Sequence, residues 1–120
     1  MVENLVEIRH RIGETVAQFQ RDKMGLNPES VDVDLHEAHI LVTLNRVVSP
    51  AERESARDRE VRELLERLSS AAYEAVSKEL EAEVAQLAGR RVTASRISID
   101  PVAGDAILKF LLEEAEPPAE

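Results

Sequence analysis

From Leu5 to Phe19 apolar residues recur with helical spacing: Leu5, Ile8, Ile12, Val16 and Phe19 follow one another at steps of three or four, with Glu, Arg and Gln between them. That is one stripe of an amphipathic α-helix, and it predicts a helix over residues 3–24. Gly25 stands where the C′ residue of that helix belongs, and Pro28 prevents continuation. Gly13 lies beside the stripe, where a glycine costs roughly 1 kcal/mol against alanine; it reads equally as a site of close packing or as a tolerated glycine. From Val31 the period drops to two. Val31, Val33 and Leu35 alternate with Asp32 and Asp34, His36 to His39 suit a turn, and Ile40 to Val48 suit the returning strand of a hairpin. Its outer face would carry Asp32, Asp34, Thr43 and Asn45, a polar and wet surface.

Ser49-Pro50-Ala51-Glu52 combines an N-cap serine, a proline at the first helical position and a glutamate that can reach back to the cap amide. No Gly or Pro follows until Gly89, and Val61, Leu65, Leu68, Ala72, Val76, Leu80, Val84 and Leu87 keep to steps of three and four. The spacing predicts one helix of about 38 residues, roughly 57 Å long, whereas a nine-residue strand spans only ~30 Å. Part of such a helix must project from the sheet or meet another chain. Homodimerisation through Val61, Leu65 and Leu68 follows as the expectation; the alternative is a separate solvated helix over residues 50–60 with a kink before Val61. Asp58–Arg62, Glu63–Arg67 and Glu74–Lys78 have the spacing of i,i+4 ion pairs. Beyond Gly89, Arg90 and Arg91 sit at the negative end of the helix dipole. Val92 and Ala94 are out of phase with Ile97 and Ile99, which calls for a β-bulge near Ser95-Arg96. A turn over Asp100–Asp105 leads to a last strand, Ala106 to Leu112.

The expected fold is therefore α+β in the order α-β-β-α-β-β: a four-stranded, mainly antiparallel sheet packed by the first helix and one long helix over about residues 50–88. Residues 1–112 form a single domain, and 113–120 an acidic, disordered tail. The length of 120 residues allows one domain and not two.

Charge and composition narrow the chemistry. The net charge is −9, divided almost equally between the two halves of the chain, so no basic half exists to neutralise phosphates and nucleic acid is not an expected partner. Cysteine is absent, which excludes disulfides, thiolate catalysis and Cys-ligated zinc. With four glycines the chain cannot build a glycine-rich phosphate cradle, and its three aromatics, Phe19, Tyr73 and Phe110, make no stacking platform. The KH-like run of elements lacks the Gly-x-x-Gly clamp of those RNA-binding domains. No apolar run is long enough for a secretory leader or for insertion in a bilayer, so a cytoplasmic location is expected.

His36-x-x-His39 lies in a turn without a third ligand, His10 reads as a surface residue, and Asp32 and Asp34 read as a solvated strand face; neither a metal nor any other cofactor is expected. Asp34, His36 and His39 are the residues an undetected enzymatic site would use.

Phe19, Gly25-x-x-Pro28, Val31, Leu41, Val48-Ser49-Pro50-Ala51-Glu52, the unbroken run to Gly89, then Val92, Ile97, Asp100, Gly104 and Phe110 together resemble a family of small bacterial domains, the MpsC-like or sodium-translocating-decarboxylase-like proteins. The resemblance covers residues 5–112, and its most specific parts are the Ser-Pro-Ala-Glu helix start and its distance to Gly89. It implies association with a membrane-potential-generating system handling sodium or bicarbonate, and it carries over no catalytic residue. The chain departs from the family in having Ser69 and Ser70 where members carry arginine, and Gly25-Leu26-Asn27-Pro28 for Gly-x-Gly-Pro.

The function expected from all this is that of a non-enzymatic, dimeric, cytoplasmic accessory domain with a protein partner in a membrane ion or bicarbonate transport complex. The alternative is a small-anion or small-ligand sensor, using Arg46, Arg53, Arg57 and Arg67 around a pocket at the dimer seam. Gly25, Ser49, Pro50, Glu52 and Gly89 have structural roles.

Overall fold

The computed structural model describes residues 4–114. The expected disordered tail lies outside them from residue 115 onward. Helix α1 runs over Leu5–Phe19, opened by Asn4, whose side chain accepts from the Val6 amide at 2.9 Å. It continues as a π-helical turn, Gln20–Met24, and ends at Gly25 in the left-handed region (φ 68°), where the Leu26 amide closes on the Gln20 carbonyl. Glycine and proline thus stop this helix where their chemistry requires.

Strands β1 (Ser30–Leu35), β2 (His39–Asn45), β3 (Val92–Asp100) and β4 (Asp105–Leu112) form one antiparallel sheet in the order β1-β2-β4-β3. The expected α+β architecture is the observed one. Strand β2 stops three residues earlier than Val48, because Arg46 takes a positive φ (54°) and donates its amide to Asp105 Oδ1 at 2.9 Å. The Val47 and Val48 amides then both turn to the Gly104 carbonyl, at 2.8 and 3.2 Å. Gly104 itself has φ 91°, a backbone that requires glycine, and a Cβ there would stand 3.1 Å from the Cδ of the Arg53 side chain. The bulge in β3 lies between Val92 and Ala94 rather than at Ser95-Arg96: Val92 faces Leu112 while Ala94 faces Leu111, leaving Thr93 as the extra residue. Val92 is buried by this, and Ala94 turns to the opposite face.

The middle helix is two helices, which corrects the expectation of one unbroken element and agrees with the alternative of a separate helix before Val61, although the break falls at residues 56–58. Ser49 and Glu52 form the reciprocal capping box, but the helix they open, α2, covers only Pro50–Ser55. Asp58 ends the run by capping a second helix, α3 (Arg59–Ala88); its carboxylate accepts from the Glu60 and Val61 amides at 2.9 and 3.2 Å. A short acidic side chain competes for backbone amides in this way and needs no Gly or Pro to break a helix. Arg62 braces the break by donating to the carbonyl of buried Ala56. None of the three expected i,i+4 ion pairs forms: Asp58 caps, Glu63 takes Arg59 at 3.1 Å, and Lys78 turns to Glu81. Gly89, φ 71°, closes α3.

Helices α1 and α3 lie on one face of the sheet. Between them the core gathers Ile12, Val16 and Phe19 of α1, Ile40, Val42 and Leu44 of β2, Leu108 and Phe110 of β4, and Tyr73, Leu80 and Val84 of α3. Phe19 meets Tyr73 edge-on, with ring centroids 6.4 Å apart. Arg90 donates to the carbonyls of Glu37 and Glu113, tying the β1–β2 turn to the end of β4, a more specific role than a dipole contact.

At Gly13 an added Cβ would meet Val33 Cγ2 at 3.4 Å, an ordinary contact, so packing does not demand a glycine there. Gly13→Ala is therefore expected to raise stability by about 0.5–1 kcal/mol in urea unfolding. A loss of stability would mean that α1 and β1 cannot accept one methyl group.

Candidate functional site

The longest departure from a two-layer domain is α3 itself. Its buried residues are Tyr73, Ser77, Leu80, Glu81 and Val84, all from the middle of the helix onward. Nothing is buried from Arg59 to Ala72, and at 1.5 Å per residue this leading part extends for about 21 Å. The molecule measures 57 × 22 × 21 Å. The expectation that part of the middle helix outruns the sheet is met in its geometry, although the projecting part starts at Arg59 and not at Pro50. Along this stem Leu64 is 57% and Leu68 67% exposed, while Val61 and Leu65 are half-buried. Leu64 was not among the interface residues read from the sequence; it stands four residues before Leu68 and so on the same face. The charges of the stem balance, with Glu60, Glu63 and Glu66 against Arg59, Arg62 and Arg67.

The four arginines of the sensor reading do not converge. Arg46 pairs with Glu29 at 3.4 Å, and Arg67 sits on the stem without an ion pair among the described residues. Arg53 and Arg57 do share a shallow recess of about 180 Å³ with Pro50, Glu54 and Val102. Within it Arg57 is held by Glu54 at 3.4 Å and Arg53 lies over Gly104. The recess therefore supplies its own counter-charge to one of its two cations.

His36 and His39 stack, ring centroids 4.5 Å apart and planes 24° from parallel, so the rings overlie one another. Desolvation, then the neighbouring His36 and Lys109, holds the His39 imidazole below its ordinary pKa. Asp32 accepts from the Asn45 amide at 2.8 Å, while Asp34 is exposed. His10 pairs with Glu14 on the surface of α1. A groove of about 680 Å³ runs between α1 and β1, its lining mixing Arg9, His10 and Arg21 with Glu14, Asp32 and Asp34, so it carries no field of one sign. No group of three or more His, Cys, Asp or Glu side chains suited to one ion occurs among the described residues.

One constellation escaped sequence reading because it joins residues far apart in the chain. The Tyr73 hydroxyl lies 2.7 Å from Ser95 Oγ, and Ser95 donates to Glu81 Oε2 at 2.5 Å. Since the serine hydrogen is committed to the carboxylate, Tyr73 is the donor to serine, and the relay runs from Tyr73 through Ser95 to Glu81. It pins α3 to β3, with both ends buried and Ser95 half-buried between them: Tyr73 is 1% and Glu81 8% exposed. Such a chain of polar groups, each satisfied, fixes one docking of helix on sheet. Gln20 contrasts with it, being fully buried in the π-helical turn with no protein partner for its side-chain amide. Ser95 borders a recess of about 190 Å³ with Ala94, Arg96, Lys109 and Leu111, but buried Tyr73 and Glu81 do not line it, so the relay serves as a lock.

A family model described as the Na+-translocating membrane potential-generating system (MpsC) matches residues 5–114, nearly the whole chain. The chain belongs to the MpsC family. The resemblance read from Gly25, the Ser49–Glu52 helix start and Gly89 is thereby confirmed. No curated protein and no solved structure matches the chain. Among the described residues of this MpsC chain, no helix is long and apolar enough to cross a membrane.

Burial pushes the Tyr73 phenol up to about 12, with the Glu81 carboxylate adding to the rise. Tyr73 is the sole tyrosine and tryptophan is absent, so an alkaline absorbance titration reads this phenol alone. Its midpoint is expected near 12 rather than 10. The folded state then holds this proton more tightly than the unfolded state. The contribution to stability is complete below pH 10 and declines as pH rises toward 12. A midpoint near 10 in the folded protein would mean that the relay is open to water.

Proposed function

We infer that this MpsC chain is a non-catalytic accessory subunit that acts in the cytoplasm at a Na+-translocating membrane-potential-generating system, and that it works as a homodimer joined by the stems of α3. The observation that carries the reading is the stem: about 21 Å of helix with no buried residue, bearing Leu64 and Leu68 on one exposed face beside half-buried Val61 and Leu65. Two such faces packed against each other remove from water what one chain leaves exposed, at roughly 25 cal/mol per Å² of apolar area. Balanced charge along the stem supports the same reading, because two chains of −9 each repel at long range whereas two neutral stems do not. Family membership supplies the membrane system, and the want of a spanning helix among the described residues favours a peripheral subunit over an integral one. The absence of convergence among Arg46, Arg53, Arg57 and Arg67 makes the anion-sensor reading the weaker one.

Leu64→Glu with Leu68→Glu is expected to halve the mass measured by light scattering and to leave the helical spectrum and the unfolding midpoint unchanged, since both sites are exposed. In cells lacking the protein, the sodium-dependent membrane potential is expected to fall, and the wild-type chain but not this double variant to restore it. A variant of unchanged mass would move the interface off the stem. Full restoration by a variant of halved mass would show that self-association is not needed for function.

A further inference from the structure

The sheet has a second face, and its charges are ordered across the strands. Opposite the helices, strand register aligns Asp34 of β1, Leu41 of β2, Lys109 of β4 and Arg96 of β3 in a single row. The next row holds Asp32, Thr43, Ile107 and Ser98, and another holds His39, Leu111 and Ala94. Acid therefore lies on the β1 edge and base on β4 and β3, and the two central strands carry Leu41, Ile107 and Leu111 beside Lys109, Thr43 and His39. Ile107 is 44% and Leu111 42% exposed, with Leu41 half-buried between them. The remaining acids of this face are engaged at its turn end, Asp100 with the Ala103 amide and Asp105 with the Arg46 amide. Neither Asp34 nor Arg96 makes an ion pair among the described residues.

Such an arrangement is complementary to itself under one symmetry operation. A two-fold axis parallel to the strands, passing above the seam of β2 and β4, keeps every row in place and exchanges left for right. It sets Asp34 of one copy against Arg96 of the other, twice, and Leu41 against Lys109, Ile107 against Thr43 and Leu111 against His39, so that the Lys109 of each copy also lies one strand from the Asp34 of the other. An axis perpendicular to the strands would instead lay acid on acid. Aligned packing at about −30°, the ordinary geometry of two stacked sheets, is compatible with the first axis. Four strands at ~4.8 Å and eight residues at ~3.4 Å give a face of roughly 500 Å² in projection. Counting side-chain relief, that approaches the ~800 Å² per partner of a standard interface.

We propose that the open face of the sheet binds a second copy of this chain, face to face, with Asp34 paired to the Arg96 of the other copy. This contact is separate from the α3 stem, so each can be broken alone.

The test uses the Leu64→Glu, Leu68→Glu chain, in which only the sheet contact is left, with light scattering and sedimentation at about 100 μM. This chain is expected to remain a dimer. Adding Asp34→Arg, or Arg96→Asp, is expected to weaken the dimer at least tenfold, and adding both to restore it. Restoration is decisive because Asp34 and Arg96 of one chain lie three strand spacings apart, about 14 Å, too far to pair with each other. A monomeric starting chain, a single variant with undiminished association, or a reversed pair that stays monomeric would each overturn the proposal. The first of these leaves the stem reading intact, so the two fail separately. Melting curves on every variant exclude misfolding, as both positions are exposed on strand surfaces.

Discussion

The mismatch between a 30-residue helix and strands of six to nine residues governs this molecule. A helix gains most of its stability from a buried face rather than from its own hydrogen bonds. Only the second half of α3 has such a face, where Leu80 and Val84 enter the core and Tyr73 closes its near end against Phe19. The first half is held by continuity with the second and by its cap. Everything distinctive in the structure follows from the need to dock the second half firmly enough to carry the first.

Two devices meet that need. The Tyr73–Ser95–Glu81 relay fixes the rotation of α3 on β3, because any turn of the helix about its axis would leave a buried carboxylate and a buried phenol without partners. Asp58 fixes the start, and Arg62 ties that start to the Ala56 carbonyl, so that α2 and α3 meet at a braced corner. The corner is in turn joined to the sheet, since Arg53 of α2 lies over Gly104 of the β3–β4 turn, whose carbonyl also receives the Val47 and Val48 amides. The stem is thus rooted at both ends of its exposed stretch.

What was legible in the sequence is what local chemistry decides. Gly25 and Gly89 stop helices because their left-handed backbone suits them, and Ser49 with Glu52 starts one because both cap bonds lie within four residues. The break was legible only as the alternative of a separate helix before Val61, and its place at Asp58 was not: an aspartate in a charged run looks like one more solvated side chain until its carboxylate is seen to take two amides. The phase conflict between Val92 and Ile97 demanded a bulge, but its place at Thr93 is set by the facing strand, through Leu111 and Leu112. The relay was invisible for a similar reason, as Tyr73 and Ser95 are 22 positions apart and only the packing of α3 brings them together. Of the candidate site, the projecting stripe could be read from periodicity; Leu64 could not, because a single series of threes and fours through Val61, Leu65 and Leu68 passes beside it.

Stem and sheet face differ in the way they are charged, and that difference assigns them different tasks. On the stem, acids and bases alternate along one helix and cancel within a few residues, so the surface discriminates little beyond its apolar stripe. On the sheet the charges are separated across the strands, which would favour one orientation of the proposed partner over another, since like charges placed opposite each other are unfavourable. A surface of the first kind gains most of its energy from removing leucine from water. A surface of the second kind gains less from burial and more from selecting one axis out of two. A domain of 120 residues with so strong a net charge has few ways to associate. Neutral helix and polarised sheet are the two surfaces on which the proposed self-association would meet the least repulsion.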